Sequence, residues 1–508
     1  KNILIDCGME QGKDTFENQE IPVPVPEIDV ILLTHAHIDH SGNIPALFAK
    51  GYRGQVHATK TTKQLCDIML RDSAHIQMQE AEWKNRKNKR SGGETIVPLY
   101  TMEHAMGVLE LFVPHGYNEK FKLFDGVEVR FIDAGHLLGS ASIEVWITEG
   151  DVKKKIVFSG DIGNTNQPLI KDPTYIKDAD YVVMESTYGD RNHGEHPDYI
   201  HELTKVLKET FDRGGNVVIP AFAVGRTQTL LYYMREIKSK GLLPDYNNFK
   251  VYIDSPLAIE ATNIFQENMM DNFDEEAMAL VKKGINPMTF PGLNIATTVE
   301  ESKAINEDDE CKVIISASGM ADAGRIRHHL KHNLWREDST VLIVGFQSPG
   351  SLGRILLDGV KEVKLFGERI QVKATVKRLP GVSGHADRDG LLKWINSFEK
   401  KPEKVFVVHG DTKVCQMFTE TLRNDYGFSA DAPYSGAVYN LLTNSLIQEG
   451  VRIPVSKKPT KKGTSVYQRL VDAGNHLIRV IKKNEGGANK DLRKFTEQIN
   501  ALSDKWDR

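Results

Sequence analysis

Leu33-Thr-His35-Ala-His37-Ile-Asp39-His40 overlaps the end of the apolar run Val30–Leu33, and no other segment constrains the chain as much. Extended chain repeats every two residues, so the side chains at 35, 37 and 39 leave the same face of a strand end. His40 turns to the other side as Ser41-Gly42 opens the next helix. Three imidazoles and a carboxylate so close together suit two adjacent divalent cations with nitrogen and oxygen ligands. The competing reading is a polar strand-to-helix turn with a capping Asp. Four ligand-type residues among six positions argue against it.

Four further apolar runs end in the same manner. Val129-Arg-Phe-Ile-Asp-Ala-Gly leads to His136, Ile156-Val-Phe-Ser-Gly to Asp161, Val182-Val-Met to Glu185, and Val405-Phe-Val-Val to His409. In open α/β sheets, ligands gather beyond the carboxyl ends of the strands. Taken singly, His136 and His409 read as ordinary structural histidines and Glu185 as a cap or salt-bridge partner. Jointly they predict one convergent site. Apolar runs at Val217–Ile219, Val313–Ile315 and Val341–Val344 alternate with helical patterns such as Thr62–Lys89 and Thr227–Lys240, which predicts an α/β architecture.

The 508 residues correspond to two to four domains at roughly 150 residues each. No stretch approaches the roughly 18 apolar residues of a membrane span. Cys7, Cys66, Cys311 and Cys415 are far apart and form no CxxC pair. This excludes a disulfide scaffold or a cysteine-rich zinc module and predicts a reducing, cytoplasmic setting. The formal charge of −4 conceals a division. Residues 457–508 hold thirteen Lys/Arg against six Asp/Glu, a balance of +7, which leaves −11 for residues 1–456. That tail is patterned as a helical hairpin, with Val466, Leu470, Ala473, Leu477 and Val480/Ile481 on one stripe. Leu492, Phe495, Ile499, Leu502 and Trp506 form a second, across the Gly486-Gly487 break. Such stripes are expected to pack on something. A basic run at Lys84, Arg86, Lys87, Lys89 and Arg90 reads either as the flank of a substrate groove or as a solvated helix end. The first residues, Lys1-Asn-Ile-Leu-Ile-Asp6, already form a strand pattern with no initiator Met, so further sequence is expected upstream.

Taken in order, His35-x-His37-x-Asp39-His40, Gly135-His136, Ser159-Gly-Asp161 and His409-Gly410 resemble the ligand motifs of the metallo-β-lactamase superfamily. Asp6, in Ile5-Asp6-Cys-Gly, matches its first motif, a carboxylate that supports the ligand loop. The middle of the chain resembles the β-CASP insert at Glu185-Ser-Thr-Tyr-Gly-Asp190-Arg191, Pro220-Ala-Phe-Ala-Val-Gly225-Arg226, Asp254-Ser-Pro-Leu-Ala, Ser318-Gly-Met320 and Ser383-Gly-His385-Ala-Asp387. The resemblance covers about residues 1–450 and points to prokaryotic relatives of the nuclease subunit of the cleavage and polyadenylation machinery. Two departures stand out: the family's first strand precedes Lys1, and Pro349 and Ser351 replace a non-proline and a Thr.

This resemblance implies an αββα sandwich with an inserted β-CASP α/β domain. It places the hydrolase segments at 1–190 and 376–455, the insert at 191–375 and a basic helical extension at 456–508. It further implies two Zn²⁺ per chain, with Mn²⁺ as an alternative occupant. One ion would be held by His35, His37 and His136, the other by Asp39, His40 and His409, with Asp161 bridging. A hydroxide between the metals would attack the phosphodiester. His385, oriented by Glu185, would protonate the leaving 3′ oxygen, giving 5′-phosphate and 3′-hydroxyl products; Asp39 and Asp161 complete the catalytic set. The DNA-cutting branch has Val where this chain has His409, so single-stranded RNA is the implied substrate, cut internally, from the 5′ end, or both. Small-residue loops before helices, Gly225-Arg226-Thr227 and Ser318-Gly319 to Arg325, present N–H groups to anions. Arg226, Ser318, Gly319 and Arg325 are therefore expected phosphate contacts, against the plainer reading of packing, and Ser383 of the Ser383-Gly-His385 motif is a further expected contact. A DNA nuclease, a non-catalytic RNA-processing scaffold and a small-molecule hydrolase are the alternatives. A homodimer through the C-terminal helices is left open.

Overall fold

Val30 and Leu32 belong to one apolar cluster and Ile31 and Leu33 to another. That alternation sets the layers. The computed structural model describes residues 1–10, 16–194, 197–379, 383–455, 465–486 and 488–506. Its first sheet is parallel, in the order β1 (Ile3–Ile5), β2 (Val30–Leu32), β3 (Gln55–Thr59) and β4 (Phe112–His115). The chain continues through β5 (Lys120–Phe124), β6 (Val127–Asp133), β7 (Ala141–Glu149), β8 (Val152–Phe158) and β9 (Tyr181–Met184) of a second sheet. Val30 and Leu32 face Val129, Phe131, Ile143 and Val145 of that second sheet. Ile31 and Leu33 lie instead with Ile44, Leu47, Leu65, Ala105 and Val108, which come from the helices Ile44–Ala49, Lys60–Ser91 and Met102–Leu109. Burying each such aliphatic side chain contributes about 1.5–3 kcal/mol, so a one-residue slip of β2 would lose both interfaces together.

An insert then departs from β9. Its sheet is wholly parallel and uses β10 (Val217–Pro220), β11 (Lys250–Ile253), β12 (Leu293–Ile295), β13 (Lys312–Ser316) and β14 (Thr340–Ile343). A hairpin of β15 (Glu362–Leu365) and β16 (Glu368–Gln371) follows, and β17 (Thr375–Arg378) completes the sheet in the order β12-β11-β13-β10-β14-β17. β10, β13 and β14 are buried throughout, as continuous apolar runs in a parallel sheet must be, because helices cover both faces. Val217 and Ile219 face the helices Tyr199–Phe211 and Arg226–Ser239; Val218 faces Ile326 and Leu330 on the other side. β17 straddles the expected boundary at 375/376 and pairs with β14, so residues 376–378 lie in the insert's sheet. Residues 195–196 and 380–382, a few positions beyond the expected boundaries at 190/191 and 375/376, lie outside the described residues.

Finally β18 (Lys404–Val407) and β19 (Ala430–Asp431) return to the second sheet, whose order is β19-β18-β9-β8-β7-β6-β5. Val157, Val182, Met184, Val405 and Val407 pack there against Leu391, Trp394, Ile395, Phe418 and Leu422 of the helices Arg388–Ile395 and Thr412–Asn424. The outer helical layer is thereby closed, giving helix, sheet, sheet, helix. β6, β8, β9 and β18 run in one direction, since β6 and β8 are both antiparallel to β7 and β9 is parallel to β8 and β18. Whatever follows each of these four strands emerges at the same edge.

Lys1–His75 and Tyr100–Pro454 form one compact unit; Ile76–Leu99 and Val455–Arg508 form another. In the second, the distal turns of the helix Lys60–Ser91 carry the i,i+4 pairs Glu80–Lys84 and Glu82–Arg86. Lys84 and Arg86 of the basic run are thus paired on an exposed helix surface. The helices Ser465–Lys483 and Asn489–Trp506 form where the apolar periodicity places them. Within their stripes Leu470, Leu502 and Trp506 are exposed, while Leu477, Val480, Leu492, Phe495 and Ile499 are half-buried. Lys457 to Lys462 and Gly487 lie outside the described residues. Among the described residues no helix is long and apolar enough to cross a membrane.

Asp254, at the end of β11, joins the insert's layers. Its buried carboxylate accepts from Arg325 (2.7 Å), His329 Nε2 (2.6 Å) and Ser302 Oγ (2.5 Å). Removing one member of such a network leaves uncompensated buried charge. Asp254→Ala is expected to lose about 3–5 kcal/mol in urea unfolding, with Asp254→Asn losing less. An unchanged midpoint would show the network to be incidental.

Candidate metal centre

Asp6 organises the first group of ligands. It follows β1 with φ = 56°, a left-handed conformation uncommon outside glycine. Its carboxylate accepts from Thr34 N (2.8 Å), Thr34 Oγ1 (2.7 Å) and His40 Nδ1 (2.7 Å). Cys7 N and Met9 N donate to His40 O and Ile38 O, laying residues 7–9 along the ligand loop. A Cβ on Gly8 would lie 1.5 Å from Asp39 O, so this close approach requires glycine. The hydrogen of the Thr34 hydroxyl goes to Asp6. Its oxygen is left to accept from His35 Nδ1 at 3.0 Å.

These partners fix three tautomers. A carboxylate or a carbonyl oxygen only accepts, so His40 Nδ1 carries its proton toward Asp6. His136 Nδ1 likewise donates to Gly384 O at 3.1 Å. His35 and His136 therefore turn bare Nε2 lone pairs inward, and His40 aims its Nε2 the same way, as metal-binding imidazoles do. Burial pushes His37 down to about 3 and lowers His35 and His136 as well, so these three rings are neutral. His40 is the opposite case: burial opposes its charge, but the Asp161 and Asp6 carboxylates override it and raise the pKa.

The inward atoms form two groups joined by Asp161. His37 Nδ1 lies 3.1 Å from His35 Nε2 and 3.2 Å from His136 Nε2. Asp161 Oδ2 is 3.4 and 3.5 Å from the Nε2 atoms of His35 and His136. Its other oxygen, Oδ1, is 3.2 Å from His40 Nε2 and 3.4 Å from His409 Nε2. Asp39, His40 and His409 form the second group, each offering a ligand atom within 4.8 Å of the others. Donors bound to zinc tetrahedrally at about 2.05 Å stand about 3.3 Å apart, which is the spacing found. Lone pairs this close repel unless a cation lies among them. His40 Nε2 and Asp161 Oδ1 are buried without a hydrogen-bond partner among the described residues. The donor set fits two divalent cations.

Beside this pair, Asp161, Glu185 and His385 form a third group. Glu185 is 1% exposed and accepts from Ile162 N (2.6 Å), Thr187 N (3.2 Å) and His385 Nδ1 (3.2 Å). Burial works against charge on His385, yet Glu185 and Asp161 outweigh it and lift its pKa to about 9. His409 adopts φ = 48°, and its carbonyl accepts from Ser186 N, tying β18's end to β9's.

A cleft of 1050 Å³ opens onto Asp39 and His409, and its wall includes Tyr188, Arg191 and Phe346, none of which the ligand pattern singles out. Thr34, too, is invisible as a relay until Asp6 is placed beside it. The expected phosphate contacts distribute differently. Arg325 is engaged by Asp254 and by the carbonyls of Ala296 and Thr297, so it braces the insert. A Cβ on Gly319 would lie 2.8 Å from the Phe222 ring, and Ser318 Oγ bonds within its own turn to Ala323. Both have packing roles. Ser383 Oγ accepts from His385 N at 3.3 Å, beside the third group. Arg226 opens its helix close to Tyr233, Tyr199 and Tyr188, with burial lowering its pKa to about 10.

Asp6→Ala removes the acceptor of His40 and Thr34 without touching a ligand atom. Loss of such a support lowers metal affinity about 10–100-fold. Chelator competition is expected to show that loss at one of the two bound ions first. Equal affinity in variant and wild type would remove Asp6 from the account.

Residues 1–221 match the metallo-beta-lactamase superfamily, 227–356 the Beta-Casp domain, and 369–433 the Zn-dependent metallo-hydrolase RNA specificity domain. The chain is similar to ribonuclease TTHA0252 of Thermus thermophilus, with 36% identity over 81% of this chain and 88% of the relative. It is also similar to transcription termination factor FttA of Methanosarcina mazei and of Methanocaldococcus jannaschii, each 32% identical. Those matches cover 81% and 83% of this chain but 64% and 65% of the factors, so the chain spans less than two thirds of their length. With this coverage and the ligand geometry above, the chain belongs to the β-CASP family of the metallo-β-lactamase superfamily, the metal-dependent nucleases.

Proposed function

We propose that this chain is a zinc-dependent ribonuclease that hydrolyses phosphodiester bonds of single-stranded RNA, leaving a 5′-phosphate and a 3′-hydroxyl. The observation that carries the reading is Asp161, one oxygen toward each ligand group, with the Glu185–His385 pair alongside. His35, His37, His136 and Asp161 Oδ2 would hold one cation; Asp39, His40, His409 and Asp161 Oδ1 the other. Two such cations supply Lewis-acid polarisation of a phosphoryl oxygen and a water whose pKa is lowered toward about 7. Imidazole-rich donors favour zinc, with manganese the second choice. His385 donates through Nδ1 to Glu185, which leaves its Nε2–H to protonate the departing 3′ oxygen. Glu185, fixed by two backbone amides, orients that ring.

RNA rather than DNA is supported by His409, where DNA-cutting relatives have Val. Support also comes from the RNA specificity match over 369–433 and from the named activity of the Thermus relative. The four cysteines are free thiols, in keeping with the cytoplasm. The exposed stripe of Leu470, Leu502 and Trp506 supports a homodimer through the C-terminal helices, which sedimentation velocity can test.

Digestion of 5′-labelled RNA beside a matched DNA strand, with chelator and zinc or manganese re-addition, tests the reading. RNA cleavage that stops on chelation is expected; preferential DNA cleavage would overturn it. His385→Ala is expected to lower kcat by about 100-fold or more while keeping the wild-type metal content. If metal content falls with activity, His385 is a ligand and the proton assignment is wrong.

A further inference from the structure

The cleft onto Asp39 and His409 is poor in the charge that a polyanion calls for. Among its described lining residues Arg191 is the one lysine or arginine, against Glu10, Glu17, Asp39 and Asp411. Arg191 lies over the Tyr188 ring, 4.6 Å from its centroid, and pairs with Asp190 at 2.6 Å. Proteins that grip a run of phosphates neutralise them with lysines and arginines. Among this wall's described lining residues Arg191 alone could do so.

What it offers instead is an aromatic edge. Phe346 stands three residues beyond β14, lines the cleft and is 55% exposed. Phe222 stands two residues beyond β10, is 43% exposed, and rests on Gly319. β10 and β14 are parallel neighbours, so both rings occupy the carboxyl edge of the insert's sheet, where α/β sheets receive ligands. Met320, from the loop after β13, lies on the same wall as Phe346. An exposed ring opening into a reactive cleft suits the face of a nucleobase, and stacking is open only to a base that is not already paired.

We propose that Phe346 is the stacking platform for an unpaired base of RNA next to the bond being cut, so that the cleft selects single-stranded substrate by stacking rather than by a run of phosphate contacts. The inference rests on the ribonuclease reading above. An apolar protein segment is the other occupant such an edge admits, and the test separates the two.

Phe346→Ala is expected to lower kcat/KM on single-stranded RNA about tenfold, and Phe346→Trp to restore it. Replacing one base beside the cut by an abasic ribose should cost the wild type a similar factor and Phe346→Ala little more, because both changes remove the same contact. For the wild type, log kcat/KM against log salt should have a slope of about −1. Multiplicative losses from variant and abasic substrate, or a slope of about −4 or steeper, would overturn the proposal. A short RNA carrying 2-aminopurine gives a second readout by stopped-flow fluorescence before turnover, with quenching in the wild type that is lost in Phe346→Ala. Quenching without any RNA cleavage by the wild type would defeat the ribonuclease reading and leave the platform standing. RNA cleavage with both readouts unaltered in Phe346→Ala would defeat the platform alone and favour a protein occupant.

Discussion

The carboxylate of Asp161 is the constraint on which the site depends. One oxygen faces His35 and His136, the other His40 and His409, at 3.2–3.5 Å. A buried carboxylate among so many imidazoles is tolerable only if charge of the opposite sign balances it. Its position is set by the length and direction of β8. Because β6, β8, β9 and β18 share a direction, one sheet edge gathers His136, Asp161, Glu185 and His409. The other sheet adds the loop from His35 to His40 after β2. Neither sheet holds a full ligand group alone, so the sandwich core of Val30, Leu32, Phe131 and Ile143 is also what keeps the two halves of the centre together.

Around that carboxylate, hydrogen bonds decide which nitrogen of each ring faces inward. Asp6 and Gly384 O accept the Nδ1 protons of His40 and His136, and Thr34 that of His35. The same device recurs at Glu185, which takes the Nδ1 proton of His385. Ligand set and proton carrier are thus oriented by one kind of contact. Glu185 is held by the amides of Ile162 and Thr187, Asp6 by the amide and hydroxyl of Thr34.

Much of this was legible in the sequence, and the reason is geometric. Ligands stand at the ends of apolar strands, so a short run followed by His, Asp or Glu announces both the strand and the site. The strands that escaped, such as β3, β5 and β7, mix polar or charged residues with apolar ones, and β5 lies at an edge. In β7 the charged Glu144 is fully buried because Lys155 and Arg130 reach it from β8 and β6, a cross-strand pairing with no one-dimensional signal. Loop composition misled in one respect. Ser318, Gly319 and Arg325 have the look of an anion cradle, yet Phe222 packs on Gly319, Asp254 pairs with Arg325, and Ser318 bonds within its own turn; Phe222 and Asp254 both lie more than sixty residues earlier in the chain. The tail helices were readable from periodicity alone; the exposure of Leu470, Leu502 and Trp506 was not, since periodicity marks a face without naming what covers it.

The dependence of both ligand groups on one carboxylate can be measured by metal content. Wild type is expected to carry two metal ions per chain after dialysis, and Asp161→Ala to lose both together, since each group then lacks its shared oxygen and its charge balance. Retention of one full equivalent by Asp161→Ala, with unchanged affinity, would contradict the shared centre.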